Sequence, residues 1–281
     1  MTAATALQQG TEILGKAGVA DARATAAILL AHALGRERVY LYAHPEHELS
    51  TVEWIHYGRY LHERSSGKPL QYITRRQEFW GREFRVSPAV LIPRPETELL
   101  IEHALALKPG PARVLDLCTG SGCIAITLAL ELKAHAAATD VSAEALAVAR
   151  GNAAALGADV EFIETDLAAG VEGPFDLITV NPPYVPSGAI ETLMREVRDF
   201  EPRLALDGGA DGLALWRRIA AEARPLLAPG GWLLGEFDPS QAGEIERLFQ
   251  QRWQDVAIFE DLAGRPRLLR AACNQETEVL R

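Results

Sequence analysis

From Ala4 to about Arg75 the apolar and polar positions read as helices. Ser50 with Glu53 forms a capping box ahead of a helix carrying Trp54, Ile55 and Leu61. Asp21 is the expected cap of a helix containing Ile28, Leu29 and Leu30. Two short alternating runs, Glu83–Val86 and Ala89–Leu91, suggest a small hairpin as connector. After Pro93 the pattern changes to strands alternating with helices, the signature of a parallel sheet with crossover connections. Strands are expected at residues 113–117, 135–139, 160–163, 175–180, 231–237, 256–261 and 267–272. The expected organisation is a helical domain over residues 1–75, a β-hairpin linker over 76–92 and an α/β domain over 93–281. The last residues, Asn274 to Arg281, are polar and expected to fray.

The run Phe175-Asp176-Leu177-Ile178-Thr179-Val180 reads as a buried strand and leads straight into Asn181-Pro182-Pro183-Tyr184. Neither proline has an N–H and both have a fixed φ, so the loop is stiff and turns carbonyl oxygens outward. Asn181 adds a side-chain carbonyl. Two acceptors suit a planar –NH2 group, which has two donors. Tyr184 offers a flat face for a planar group. The expected target is an amide or aromatic amine, with chemistry at its nitrogen. Taken alone, a strand ending in a proline-stopped turn reads the same way.

A second feature shifts the balance. Val114 to Ile126 reads as strand, Gly-rich turn and helix, with Gly120 and Gly122 permitting a tight turn and close approach of a ligand to the backbone. The helix N-terminus behind them favours the carboxylate end of a ligand. A short strand, Ala136 to Thr139, ends at Asp140, 18 residues after Gly122. Nucleotide-binding α/β folds place a ribose-hydroxyl acceptor at about 20 residues. A dinucleotide site wants a third glycine where Ile124 and Ala125 stand. With an amine-gathering loop nearby, S-adenosylmethionine fits better than NAD.

The chain resembles the release factor glutamine methyltransferases, the HemK/PrmC family, from near its start to near its end. The resemblance rests on Gly67-Lys68-Pro69-Leu70-Gln71-Tyr72-Ile73, Glu78-Phe79-Trp80-Gly81-Arg82-Glu83-Phe84, Leu91-Ile92-Pro93-Arg94-Pro95-Glu96-Thr97-Glu98, the Gly-rich turn, Asn181 to Tyr184, and Phe200-Glu201-Pro202-Arg203. Asn-Pro-Pro-Tyr occurs in many amino-methyltransferases; joined to Ile-Pro-Arg-Pro-Glu-Thr-Glu it is far more specific. Three positions depart from the pattern. Cys118 stands where the turn often has its first glycine, Arg75 where a glycine commonly follows Tyr-Ile, and Phe237-Asp238 replaces a frequent His-Gly.

The resemblance implies a Rossmann-like, seven-stranded methyltransferase domain with a reversed last hairpin, preceded by a small helical bundle and a hairpin connector. It implies methylation of the glutamine in the Gly-Gly-Gln tip of peptide chain release factors, with S-adenosyl-L-homocysteine as product. The expected catalytic residues are Asn181, Pro182 and Tyr184. The expected cofactor-binding set is Cys118, Thr119, Gly120, Ser121, Gly122, Asp140, Asp166, Leu167 and Asn181. For the substrate it is Asn181, Pro182, Pro183 and Tyr184 with Arg94, Glu96 and Thr97. Pro95, Glu96 and Glu98 also make an ordinary helix start, with proline first and acids in the first turn. The resemblance adds that this loop closes over substrate and donor.

Composition agrees. A chain of 281 residues, 48% hydrophobic, suits about two domains with a full core. No apolar run approaches the roughly 18 residues that span a bilayer, and no signal pattern opens the chain. Cys118, Cys123 and Cys273 make no disulfide framework, which points to the cytoplasm, and no metal site is expected. The net charge of −10 argues against stable nucleic-acid contact. A monomer is expected. Other readings remain open: a ribosomal-protein glutamine as substrate, a flipped adenine or guanine amine in nucleic acid, or a non-catalytic S-adenosylmethionine-binding adaptor. Phe79 and Trp80 read as connector core. Glu236 reads as a solvated strand terminus and His103 as a helix-surface residue. None of the seven histidines sits in a site motif, so no general base is implied.

Overall fold

The computed structural model describes residues 1–107 and 113–273, so the tail Asn274 to Arg281 lies outside the described residues. The chain divides into two compact units. One is Met1–Arg76 with Met194–Phe200, the other Gln77–Leu193 with the chain from Glu201 onward.

The first unit holds helices α1 (Ala3–Lys16), α2 (Ala22–Leu34), α3 (Arg38–Ala43), α4 (Thr51–Ser65) and α5 (Leu70–Thr74). Their apolar faces bury Leu14, Leu29, Leu30 and Tyr57 completely in one core. The capping box at α4 forms: Ser50 Oγ accepts the Glu53 N–H at 3.3 Å, and Glu53 Oε2 accepts the Ser50 N–H at 2.7 Å. Asp21 does not cap α2. An N-cap needs extended φ/ψ, and the turn between α1 and α2 instead puts Asp21 in the left-handed region, φ 48°, with no capping bond. Arg64 is nearly buried and must be paired. Its Nη2 donates to Glu196 Oε1 at 2.5 Å and its Nη1 to the Lys68 carbonyl at 3.1 Å. That pairing accounts for Met194–Phe200, expected with the sheet, grouping with the helices.

The hairpin also differs from expectation. It pairs β1 (Arg76–Phe79) with β2 (Arg82–Arg85), while Ala89–Leu91 form no strand. Trp80 and Gly81 at its turn have φ of 51° and 67°, both positive as in a type I′ turn, whose twist matches that of the strands. Phe79 and Phe84 pack edge-to-face at 6.1 Å and join Leu100, Ile101 and Ile126 in the core. The hairpin is thus part of the core rather than only a connector.

Beyond it, in chain order, lie α6 (Glu98–Ala106), β3 (Arg113–Leu117), α7 (Cys123–Leu132), β4 (His135–Asp140), α8 (Ala143–Leu156), β5 (Val160–Glu164), β6 (Phe175–Val180), α9 (Arg195–Phe200), α10 (Ala214–Glu222), β7 (Leu227–Glu236), α11 (Ala242–Gln250), β8 (Gln254–Glu260) and β9 (Pro266–Ala272). The sheet order is β5-β4-β3-β6-β7-β9-β8. All pairs are parallel except those of β9, which runs antiparallel to β7 and to β8. This is the seven-stranded sheet with a reversed last hairpin. From β3 the chain steps outward through β4 to β5, then crosses back to β6 and β7. The strand order therefore reverses between β3 and β6, and a crevice opens beyond their carboxyl ends. His103 on α6 is half-buried, its ring 4.1 Å from that of Phe259. It sits on the helix surface but is partly covered there by Phe259.

Two of the three departures from the family pattern have one backbone cause. Arg75 and Cys118 have φ of 61° and 56°, a region where a Cβ costs roughly 1–2 kcal/mol and glycine costs nothing. At the third, Phe237 is completely buried, and Asp238 accepts from the Ser240 N–H at 2.9 Å.

Candidate active site

The site is built at the ends of β3, β4 and β6. Asp116 on β3 is completely buried and accepts the hydroxyls of Thr119 (2.6 Å) and Thr179 (2.8 Å). It ties the start of the Gly-rich turn to β6. Burial pushes its carboxyl up to about 7 against those two donors. A raised carboxyl stabilises the fold below the ordinary 3.8, and that contribution is lost as pH rises towards about 7. Asp116→Asn cannot ionise. It should gain on the wild type over that window, by on the order of a few kcal/mol, and level off above it. Urea unfolding across the window reads this; a pH-independent gap would show the carboxyl to be ordinary.

The turn itself is pinned by Asp140. Its Oδ2 accepts the Gly120 N–H and its Oδ1 the Ser142 N–H, both at 2.9 Å. Burial raises the Asp140 carboxyl, and the N–H groups of Ser142, Gly120 and Val141 oppose that. Asn152 on α8 bonds both the Arg85 backbone and the Ser121 carbonyl, the latter at 2.9 Å. No short motif marks Asn152, and the sequence reading missed it.

Asn181 leaves the end of β6. Its Nδ2 donates to Thr97 Oγ1 at 3.3 Å, and among the described residues its Oδ1 has no partner. The loop after it is braced from below. Val185 N–H donates to the Leu206 carbonyl at 2.9 Å, and Gly208 N–H to the Val185 carbonyl at 2.8 Å. A Cβ on Gly208 would sit 2.7 Å from the Pro183 carbonyl oxygen, so only glycine fits.

Of the expected site residues, Cys118, Gly120, Asp140, Asp166, Leu167, Asn181 and Pro183 line one cavity of about 660 Å³. The reading missed several of its walls, including Val90, Leu91, Val141 and Leu204. These are apolar residues outside any motif. Four acids line the cavity, Asp140, Glu144, Asp166 and Asp207, and among the described residues no Lys, Arg or His does. Asp166 is paired with Arg218 at 2.9 Å and Asp207 bonded by Ser187 at 2.5 Å. The Cys118 thiol stays protonated, pushed up by burial and by the charges of Asp140, Asp116 and Asp166.

The other expected residues lie outside the lining. Thr119 and Ser121 are buried within the turn, and Pro182 is buried too. Gly122, with φ 81°, is pressed against Ala149 of α8. Arg94 pairs with buried Glu201 at 2.6 Å, and Glu201 also accepts the Ile92 N–H. Glu96 is exposed. Thr97 is buried, its hydroxyl donating to Glu236 Oε2 at 2.5 Å, so it stands behind Asn181 instead of facing a substrate. The Tyr184 hydroxyl donates to Glu236 Oε1 at 3.2 Å. Glu236 is 2% exposed, not a solvated terminus. β9 flanks β7 there, and two hydroxyls replace its water.

Two family models match, the PrmC N-terminal domain over residues 5–74 and the methyltransferase small domain over residues 95–209. A release factor glutamine methyltransferase of Koribacter versatilis is 43% identical over 274 residues, covering 96% of this chain and 98% of that protein. One of Cereibacter sphaeroides is 44% identical over 278 residues, covering 96% of this chain and 98% of the other. Among solved structures, a methyltransferase from Pyrococcus furiosus aligns with a TM-score of 0.55 at 18% identity, over 70% of this chain and 91% of that one, a likeness of fold. With identity above two-fifths sustained over nearly the full length of both relatives, this chain belongs to the release factor glutamine methyltransferase family.

Proposed function

We propose that this protein methylates the side-chain amide nitrogen of the glutamine in the Gly-Gly-Gln motif of peptide chain release factors, with S-adenosylmethionine as methyl donor. The observation that carries the reading is Asn181 Oδ1, without a partner among the described residues, beside a cavity that these residues line with acids and with no cationic side chain. Such a lining repels phosphate and suits a cation. S-adenosylmethionine supplies a methyl group on a positively charged sulfur. Asp140, with the Gly120 turn, is proposed to hold its ribose, and Val141, Leu91 and Leu167 to cover its flat base.

An amide nitrogen is a poor nucleophile because its lone pair is delocalised into the carbonyl. No side chain in the cavity is a base that could remove its proton near neutral pH. Asn181 Oδ1 and the Pro182 carbonyl accept its two N–H groups and hold it in position for attack. The same acceptors stabilise positive charge as it develops on nitrogen. The surplus proton then passes to water. Tyr184, anchored through its hydroxyl to Glu236, presents its ring as a stacking face. The Arg94–Glu201 pair holds the loop over the site. The helical unit is assigned to docking the substrate protein. Among the described residues no helix is long and apolar enough to cross a membrane, and a modifier of release factors acts where translation does, in the cytoplasm. The acid-lined cavity also counts against a nucleic-acid substrate, whose phosphates need cations.

Mass spectrometry after incubation with labelled donor tests the reading. A methyl on the Gly-Gly-Gln peptide of an intact release factor is expected, with a lower KM for intact factor than for the isolated tip peptide. Label on a ribosomal protein or on nucleic acid alone would replace the reading, and equal KM values would remove the docking role. Asp140→Ala should weaken donor binding by about tenfold or more, since it deletes a charged acceptor and frees the turn. Unchanged affinity by calorimetry in the folded variant would take Asp140 out of the site.

A further inference from the structure

An asparagine side chain does not choose by itself which end faces a substrate. Its oxygen and nitrogen are nearly the same size, and only the surrounding donors and acceptors distinguish them. The choice matters here, because a substrate –NH2 needs an oxygen opposite it. The buried partners behind Asn181 make that choice. Thr97 and Glu236 are each 2% exposed. The Thr97 hydroxyl has one proton, and at 2.5 Å from Glu236 Oε2 that proton is committed to the carboxylate. Thr97 Oγ1 can then meet Asn181 only as an acceptor. At 3.3 Å it takes the Nδ2–H, and Oδ1 is left on the other side. Turning the amide over would set Oδ1 against Oγ1 with no proton between them. Tyr184 Oη–H holds the other carboxylate oxygen at 3.2 Å, so Glu236 cannot swing away without losing both donors. Burial raises the Glu236 carboxyl, with Glu96 adding to the rise, while the Thr97 hydroxyl, the Arg267 guanidinium and the Tyr184 hydroxyl oppose it; the direction of the chain is that of the ionised carboxylate, which these three donors hold.

We propose that Thr97 and Glu236 are positioning residues that fix the direction of the hydrogen-bond chain and thereby lock Asn181 with Oδ1 towards the substrate nitrogen. The catalytic consequence rests on the reading of the protein as an amide methyltransferase; the orientation of Asn181 does not. Neither residue touches the reacting atoms. The bonds involved join residues 139, 84 and 52 positions apart, so no local motif encodes the chain.

Two measurements on the full-length protein test this. The first is solvent exchange of the Asn181 side-chain amide protons by NMR, assigned by their disappearance in Asn181→Asp. One Nδ2 proton should exchange slowly in the wild type and in Thr97→Ser, which keeps the hydroxyl, and rapidly in Thr97→Val, which keeps the shape. Glu236→Gln should lose part of the protection, because its amide can turn either oxygen or NH2 to Thr97 and no longer fixes the direction of the chain; full protection there would take Glu236 out of the proposal. The second is kinetics on a release factor. Thr97→Val should lower kcat by about tenfold, as loss of one oriented hydrogen bond does, with donor affinity unchanged and Thr97→Ser near the wild type. Undiminished protection in Thr97→Val, or an equal loss of kcat in Thr97→Ser, would overturn the proposal and reduce Thr97 to packing. Should Thr97→Val fail to fold, Thr97→Ala carries the same comparison. If the wild type methylates no release factor glutamine, the proposed function falls, and the exchange measurement still decides the orientation.

Discussion

Replacing Asn181 by alanine should lower kcat by about 100-fold or more, with S-adenosylmethionine affinity changed far less. The loss falls on kcat because the acceptor matters most when positive charge appears on the substrate nitrogen. A group that stabilises only the transition state shows itself in turnover. Donor binding should be spared because Gly120, Asp140 and the apolar walls of the proposed donor site remain. Asn181→Asp is the sharper variant. It keeps an acceptor oxygen but places a second one against Thr97 Oγ1, which has no proton to offer it. It also brings a negative charge towards a cationic donor. Tighter donor binding with poor turnover is therefore expected. Steady-state kinetics at saturating donor and release factor decide the matter. Near-normal kcat in the alanine variant would make Asn181 a turn residue and end the acceptor-loop mechanism.

Trp216→Ala should destabilise the protein by about 3–5 kcal/mol, the range for emptying a buried aromatic site. Trp216, on α10, is completely buried. It packs edge-to-face on Phe237 (6.4 Å, 78°) and on Phe249 (5.8 Å, 80°). Its six-membered ring lies directly over Gly235, where any Cβ would collide with it. Gly235 pairs with Val180, the residue before Asn181, and precedes Glu236. The same indole thus supports the core and the strand ends that carry the site. Against a total stability of about 5–15 kcal/mol, such a loss brings a domain close to unfolding. Trp216→Phe should cost much less. It keeps a ring in place and removes an indole N–H that has no hydrogen-bond partner among the described residues. Urea unfolding of both variants tests this. An alanine variant within about 1 kcal/mol of wild type would mean that the site collapses freely.

The parts readable from sequence were those whose cause lies within a few consecutive residues. Apolar runs of strand length announced β3, β4 and β6, because a strand buried on both faces is a run of apolar side chains. Ser50 and Glu53 announced α4, because both capping bonds close within four residues. Gly120, Asp140 and Asn181 were picked out because a turn after a strand needs particular residue types at particular steps, and the topology brings all three to one cavity. Asp21 shows the limit of that logic: the residue type was right for a cap, but the turn from α1 took a conformation in which it could not act.

Tertiary structure decided what depends on residues far apart in the chain. Glu236 looked like a strand end open to water, and only the packing around β7 turned it into a buried acceptor for Thr97 and Tyr184. Ala89–Leu91 alternate as a strand would, yet backbone pairing went to Arg76–Phe79, whose turn has the twist a hairpin needs. Met194–Phe200 lies between β6 and β7 in sequence but groups with the helical unit, where Glu196 pairs with Arg64 across 132 residues. The cavity walls Val90, Val141 and Leu204 carry no motif, since an apolar wall is specified by shape alone. Local spacing can pick out candidate groups for the chemistry. Burial, pairing and the direction of each hydrogen bond are set by contacts that exist only once the chain has folded.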